Sequence, residues 1–217
     1  MKAGSLRAVL LDVDGTILDT REFILSAIEH ARAAGGLPVL GRHELAAQVG
    51  RPLEAIYADW TDEPAPLVEA HRAFQAQHLH LAAAFPGAAE TLGTLIHAGL
   101  RLAAVTSRSR RTSTRTLELA GLAPFFDAVV SAEDVAALKP DPAPLLHALG
   151  LLGERAAHAA MVGDTRHDVE AGQALAMFTV GATYGFAGEA IRAATPDRVI
   201  SDIRDLPPAL GLAAPRY

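Results

Sequence analysis

Residues Val9–Thr20 read VLLDVDGTILDT. The run LRAVLLD, Leu6–Asp12, is short and apolar, the pattern of a buried strand. It then breaks into two aspartates one residue apart, a glycine and a threonine. A strand that ends this way carries Asp12 and Asp14 to one edge of its sheet. As a bare tetrapeptide DVDG is an ordinary acidic turn, since Asp and Gly are common turn residues. An EF-hand loop fails on spacing: counted from Asp12, Ile17 stands where the loop needs glycine and Phe23 where it needs glutamate. The meaning of the two acids therefore depends on what the rest of the chain brings to the same edge.

The next segment, about Thr20 to Ala84, has helical periodicity and no strand signal. In DTREFILSAIEHARAAGG the residues Phe23, Ile24, Ala27, Ile28 and Ala31 share one face. Asp19 or Thr20 can cap its start, and Gly35-Gly36 ends it. Further helices are expected in RHELAAQVG, PLEAIYADW and PAPLVEAHRAFQAQHLHLAA, with Pro52 and Pro64 at helix starts. Phe85-Pro86-Gly87 breaks the pattern, and strict alternation follows. The strands are RLAAVTS, FDAVVS, HAAMVGD, MFTVGA and a short DRVIS, separated by helices. Apolar, β-branched strands alternating with helices predict a parallel sheet covered on both faces. The expected fold is therefore α/β, a doubly wound parallel sheet formed by residues 1–18 and 85–217, with an all-α insertion, residues 19–84, after the first strand.

In an open parallel sheet, ligands bind beyond the carboxyl ends of the strands. Asp12 and Asp14 end the first strand, Thr106 and Ser107 end LAAVTS, and Asp164 ends AAMVGD. With Asp168 nearby, the four aspartates are candidates to meet at one hard cation, because clustered carboxylates repel one another unless a cation or a shared proton compensates. A donor set made only of oxygens suits Mg²⁺. The composition adds Lys139: the chain has only two lysines among 19 Lys and Arg, and the other is Lys2. A compact ammonium kept in an arginine-rich chain, just before Pro140 and Pro142, suits a point charge on phosphate. Thr106 alone is a strand-end hydroxyl; beside these groups it reads as a phosphate ligand. Together they outline a chemistry in which one carboxylate attacks phosphorus. Mg²⁺ and Lys139 neutralise the transferring group, and a second carboxylate handles the leaving-group proton and then water.

The motifs DVDGT (Asp12–Thr16), VTS (Val105–Ser107), LKPDP (Leu138–Pro142) and GDTRHD (Gly163–Asp168) occur in this order, and with them the chain resembles the haloacid dehalogenase (HAD) superfamily along its whole length. The resemblance implies a HAD-like Rossmannoid core with a helical cap that closes over the site. It implies that Asp12 is the nucleophile and a Mg²⁺ ligand, and that Asp14 is the general acid/base with its backbone carbonyl on the metal. Thr106 would bind the phosphoryl group, and Lys139 would hold nucleophile and phosphate. Asp164 would ligate Mg²⁺; Asp168 would ligate it through water or orient the site. Gly15 and Thr16 would form the turn after the nucleophile. An acid at Asp14 implies phosphate-ester chemistry rather than dehalogenation. The tract from Thr106 to Pro142 looks most like the phosphoglycolate phosphatase and pyrophosphatase branch. A phosphomutase of the β-phosphoglucomutase type and a non-catalytic phospho-acceptor module are the alternatives. The cap-sized insertion has no use in the second of these.

Composition removes other classes. There is no cysteine, which excludes a disulfide framework, a zinc finger and a cysteine nucleophile. A net charge of −6 gives no bias toward nucleic acid or anionic membrane. No apolar run approaches the roughly 20 residues of a membrane span. The N-terminal apolar run is too short for a signal peptide and has no cleavage site after it. A cytoplasmic protein, monomeric or homodimeric, acting on a small phosphorylated molecule is expected. The basic run Arg108, Arg110, Arg111, Arg115 has no interleaved aromatics and reads as a solvated helix start beside the site. Arg51, between two cap helices, is a candidate to grip the substrate's distal anionic group. His78 and His80, at i and i+2, point to different helix faces and read as surface. His167 reads as incidental, VGATYGFAG as a loop near the rim of the site, and Tyr57 and Trp60 as cap core.

Overall fold

The computed structural model describes residues 6–212. Lys2 and the outermost residues of the expected core segments lie outside that range. In chain order the elements are β1 (Ala8–Leu11), β2 (Leu18–Asp19), α1 (Arg21–Ala34), α2 (Arg42–Ala46), α3 (Leu53–Ala58), α4 (Ala65–Gln77), β3 (Ala83–Ala84), α5 (Ala88–His97), β4 (Arg101–Val105), α6 (Arg110–Leu119) and β5 (Ala128–Val130). Then come α7 (Ala143–Leu152), β6 (Ala159–Gly163), α8 (Arg166–Ala174), β7 (Phe178–Ala182), β8 (Arg198–Ile200) and α9 (Leu206–Ala209). Six strands form one parallel sheet in the order β5-β4-β1-β6-β7-β8.

This order makes β1 the central strand, with β4 and β6 as its neighbours. The chain winds outward to β4 and β5 on one side and to β6, β7 and β8 on the other, so the topology reverses at β1. A parallel sheet opens a crevice at such a point. Every residue of β1 is fully buried, because alternate side chains feed two separate cores. Val9 and Leu11 join Leu92, Leu95 and Leu117 of α5 and α6. Ala8 and Leu10 join Leu145, Ala148 and Ala171 of α7 and α8. Leu10→Ala is expected to cost about 2–5 kcal/mol, since little around a central strand can collapse into the void. The urea midpoint of unfolding measures that loss.

Helices α1–α4 pack on one another above the sheet, with α1 along α4. Phe23, Leu25, Ile28 and Leu45 form one small core, and Ala31, Tyr57, Leu67 and Val68 another, as the helical stripe of α1 requires. Trp60 packs on both, and the Arg32 guanidinium lies 4.2 Å from its ring centroid. The α1 start is capped by Asp19, whose Oδ1 accepts from the Arg21 N–H at 3.2 Å; the Thr20 hydroxyl has no partner.

The expectation of an insertion without strands is corrected at its two ends. Leu18–Asp19 and Ala83–Ala84 pair as a two-residue antiparallel ribbon where the chain enters and leaves the helical layer. Strands this short, one of them Ala-Ala, carry no period and no β-branched residue to announce them. The Arg21 side chain secures the same junction. Its Nη2 donates to the Gly185 carbonyl at 2.8 Å and its guanidinium lies 5.1 Å from the Phe186 ring centroid.

Candidate active site

The carboxyl ends of β1, β4 and β6 lie side by side, and the predicted residues gather there. Lys139 is the centre. Its Nζ donates to Asp12 Oδ1 and Asp168 Oδ1, each at 2.6 Å, and to the Val105 carbonyl at 3.0 Å. All three donors of the ammonium are therefore used, and the side chain is 4 % exposed. Asp168 is held from its other oxygen by the Thr165 N–H at 3.0 Å and the Thr165 hydroxyl at 2.6 Å. That exchange is also the N-terminal cap of α8. Asp168 thus sits between a helix start and Lys139. Asp164 is fully buried; its Oδ1 accepts from the Thr16 hydroxyl at 3.3 Å and its Oδ2 from the Phe186 N–H at 2.5 Å.

Asp12, Asp164 and Asp168 each place a carboxylate oxygen within 4.8 Å of the others. Burial pushes the Asp12 carboxyl up to about 7, against the pull of Lys139 and with the repulsion of Asp168 and Asp14 added. Burial, then Asp12 and Asp168, raise Asp164 as well. Burial alone would lower Lys139, but the two carboxylates it touches outweigh that and raise it, so the ammonium stays charged. With Asp14 the site holds four carboxyl groups against the two cations Lys139 and Arg108, an excess of two negative charges once all four are ionised. A divalent hard cation supplies that charge, and an all-oxygen donor set is what Mg²⁺ takes, so the residues present fit it.

The turn after Asp12 is fixed by Gly15, whose φ of +81° belongs to the left-handed region. A side chain there would also strike Asp164 and Phe186. Thr16 is fully buried beneath the turn, and its carbonyl accepts from the Tyr184 hydroxyl at 2.9 Å. Gly185, in the glycine-rich loop expected at the rim, comes closer still: a Cβ on it would meet both Asp164 and the Gly15 carbonyl. Gly185→Ala is expected to displace Asp164. It should weaken stability by about 1–3 kcal/mol through overpacking and raise the Mg²⁺ concentration needed for half-maximal activity, which a metal titration reads directly.

Asp14 borders the same cavity as Asp12. Its Oδ2 accepts from Thr106 Oγ1 at 3.4 Å and its Oδ1 from Arg108 Nη1 at 2.8 Å. This corrects the reading of the basic run. Arg110, Arg111 and Arg115 are exposed, with Arg110 paired to Asp134 and Arg115 to Glu118, as a solvated helix start requires. Arg108 instead precedes the helix, and its side chain is only 10 % exposed. The signal that finds it is the offset: Arg108 stands two residues past Thr106 at the end of its strand, as Asp14 stands two past Asp12. Arg51 borders the cavity, but its Nη1 is engaged by Gln48 and, at 2.7 Å, by Asp59.

That cavity, of about 290 Å³, lies between these residues and the helical layer. Asp12, Asp14, Thr106, Ser107, Lys139 and Asp168 border it below, and Ile24, Ile28, Arg51, His71 and Gln75 from the helices above. His71 was not singled out in the sequence. It is buried, and its Nδ1 lies 2.9 Å from the Tyr57 hydroxyl. Burial, with Arg108 and Arg72 adding to it, pushes it down to about 3, so the ring is neutral. His167, read as incidental, also borders the cavity, and its Nδ1 is buried without a partner. Burial lowers its pKa too. His78 is half-buried and stacks on Phe74 with centroids 3.9 Å apart; its ring lies 5.9 Å from that of His80, because α4 ends at Gln77 and the two do not sit on separate faces of one helix.

Residues 9–182 match the family model described as haloacid dehalogenase-like hydrolase. The chain belongs to the haloacid dehalogenase-like hydrolases. Among curated HAD relatives it is 34 % identical over 212 residues to the pyrophosphatase PpaX of Halalkalibacterium halodurans, covering 96 % of this chain and 99 % of that one. It is 33 % identical over 223 residues to the phosphoglycolate phosphatase of Yersinia pseudotuberculosis, covering 98 % and 96 %. Among solved structures, a hydrolase from Pseudomonas syringae superposes with a TM-score of 0.84 at 27 % identity, covering 94 % of this chain and 98 % of that one. A haloacid dehalogenase-like hydrolase from Streptococcus pneumoniae shares the fold, with a TM-score of 0.84 at 21 % identity over 93 % and 97 %. The chain is thus a HAD-family phosphatase on the parallel α/β fold expected for it. No helix among its described residues is long and apolar enough to cross a membrane.

Proposed function

We propose that this HAD phosphatase hydrolyses a small phosphorylated metabolite, a phosphoglycolate-like monoester, through a phosphoryl group carried on Asp12. The observation that carries the reading is the Lys139 ammonium bridging Asp12 and Asp168 at 2.6 Å each, with Asp12, Asp14 and Thr106 bordering one cavity. Residues 19–84 act as the cap that shuts this cavity and excludes water. Asp12 borders the cavity and its Oδ2 accepts no hydrogen bond from the described residues, so Oδ2 is the oxygen free to attack.

The steps follow from the placement. An Asp12 oxygen bonds to phosphorus while the bond from phosphorus to the leaving oxygen breaks. Asp14, held by Thr106 and Arg108, gives that oxygen its proton. A water then attacks the aspartyl-phosphate, Asp14 takes the water's proton, and the bond between phosphorus and Asp12 breaks to release inorganic phosphate. Lys139, held on Asp12, keeps a positive charge beside the transferring group, and the Thr106 hydroxyl donates to its oxygens. Asp12, Asp164 and the Asp14 carbonyl would hold Mg²⁺, with Asp168 orienting the site, and the ion would supply further charge neutralisation.

The second reading is inorganic pyrophosphate, which the PpaX relative favours. A panel of phosphoglycolate, pyrophosphate, sugar phosphates and nucleoside monophosphates, assayed for phosphate release with Mg²⁺ and with chelator, separates them. Release from phosphoglycolate that needs Mg²⁺ is expected. A best rate on pyrophosphate moves the assignment to the second reading. Transfer between sugar hydroxyls without free phosphate moves it to a mutase.

A further inference from the structure

The substrate's second functional group needs a binding partner inside the cavity, and most of the nearby cations are already engaged. Arg51 is paired with Asp59 and Arg72 with Glu54, each at 2.7 to 2.8 Å. Lys139 has spent its three donors. Arg108 differs. Its Nη1 is on Asp14, while its Nε and Nη2 are buried and have no partner. Leaving buried donors unpaired is costly, and a guanidinium is rarely left that way without a reason. The Phe23 ring lies 4.8 Å from its central carbon and restrains the plane.

The two unpartnered atoms are neighbours on one edge of the guanidinium. Their N–H bonds run parallel, and that edge grips a planar two-oxygen group through two hydrogen bonds at once. On the cap, His71 borders the same cavity. The Tyr57 hydroxyl is fully buried, and the acceptor available to its proton is His71 Nδ1. With Tyr57 donating, the neutral imidazole carries its own proton on Nε2, so it is a donor with no acceptor role left. Arg108 and His71 both border the cavity, and Arg108 adds to the burial that keeps His71 neutral. A donor edge from the core and a donor from the cap suit an acceptor-only ligand group.

We propose that Arg108 and His71 are the specificity-determining residues of this site, Arg108 taking the substrate's carboxylate on its Nε–Nη2 edge and His71 donating to the same carboxylate from the cap. The proposal rests on the phosphatase reading above and moves the distal-group role from Arg51 to Arg108. It ties specificity to closure, because the carboxylate joins a core residue to a cap residue. It also ties specificity to chemistry, because the guanidinium that reads the carboxylate holds Asp14 with its other end.

The test compares kcat/KM for phosphoglycolate with kcat/KM for ethyl phosphate, which has the same length and no carboxylate, with pyrophosphate as a third substrate. The wild type should prefer phosphoglycolate by about 10²-fold or more, as a site built to pair a group rejects the analogue lacking it. Arg108→Lys keeps the charge and removes the parallel edge; it should lower that preference at least about tenfold. His71→Leu should lower it by about threefold to tenfold. Both substrates are measured on one preparation, so any misfolded fraction cancels from the ratio. If a variant turns over too slowly, phosphoglycolate binding by calorimetry to Asp12→Asn, with and without Arg108→Lys, reads the same change as a ratio of Kd values. An unchanged ratio in both variants overturns the proposal and leaves the phosphatase reading standing. A loss confined to pyrophosphate overturns the carboxylate assignment in favour of a second phosphate. No turnover of any substrate by the wild type overturns the reading beneath it.

Discussion

Asp12→Asn is expected to lower phosphate release on the order of 10⁴-fold or more, the scale of losing a nucleophile whose partners act with it as a unit. The amide keeps the volume of the carboxyl and an oxygen for Lys139, so the cluster stays assembled. It also removes one negative charge from a buried group in which burial and neighbouring carboxylates hold Asp12 up at about 7. The variant should therefore melt at or above the wild-type temperature in metal-free buffer. Phosphate assay and thermal melting, run together, check both halves. Activity within a hundredfold of wild type would place the attacking oxygen elsewhere.

Lys139→Met should have the second-largest effect, and on stability as well as rate. The wild-type ammonium is 4 % exposed and sits between carboxylates that are 10 % and 2 % exposed. Removing it leaves two buried charges without their cation, which costs about 3–5 kcal/mol. The pH dependence has a definite sign. Asp12 is raised in the folded protein from 3.8 to about 7, so between those values the folded state holds a proton that the unfolded state has released. Stability from this group is present at low pH and is lost as pH rises toward 7. Without the pull of Lys139 the Asp12 carboxyl is raised further, so the penalty should be larger at pH 8 than at pH 5. Urea unfolding at the two pH values measures it, and a penalty greater at pH 5 would contradict the assignment. Adding Asp168→Asn to Lys139→Met should recover part of the loss. In the wild type, Mg²⁺ should stabilise more at pH 8 than at pH 5, because it competes with the proton for the same oxygens.

The sheet and its polar strand ends were legible because their chemistry is local. A run such as AVLL followed at once by aspartates declares both a buried strand and its polar end, and repeating this at LAAVTS and AAMVGD places three such ends on neighbouring strands. Lys139 was legible from its rarity in an arginine-rich chain. The two-residue ribbon of Leu18–Asp19 and Ala83–Ala84 was not, because its pairing rests on backbone hydrogen bonds between segments far apart in sequence. Arg108 was masked by its company: four arginines within eight positions look like one solvated face, and only the fold separates the one at the strand end. His71 was hidden for a related reason. Its partner Tyr57 lies on a different helix, and a histidine in an amphipathic helix carries no mark of which cavity its buried face borders. In each case the missing information is tertiary.

The central claim is that phosphoryl transfer passes through Asp12. The most direct test is a rapid acid quench during the first turnover of phosphoglycolate with Mg²⁺, followed by mass spectrometry of the proteolysed chain. A phosphoryl adduct on the peptide containing Asp12, formed and lost at rates compatible with turnover and absent in Asp12→Asn, is the predicted result. Turnover with no adduct at any time point, or with the adduct on another residue, would contradict it.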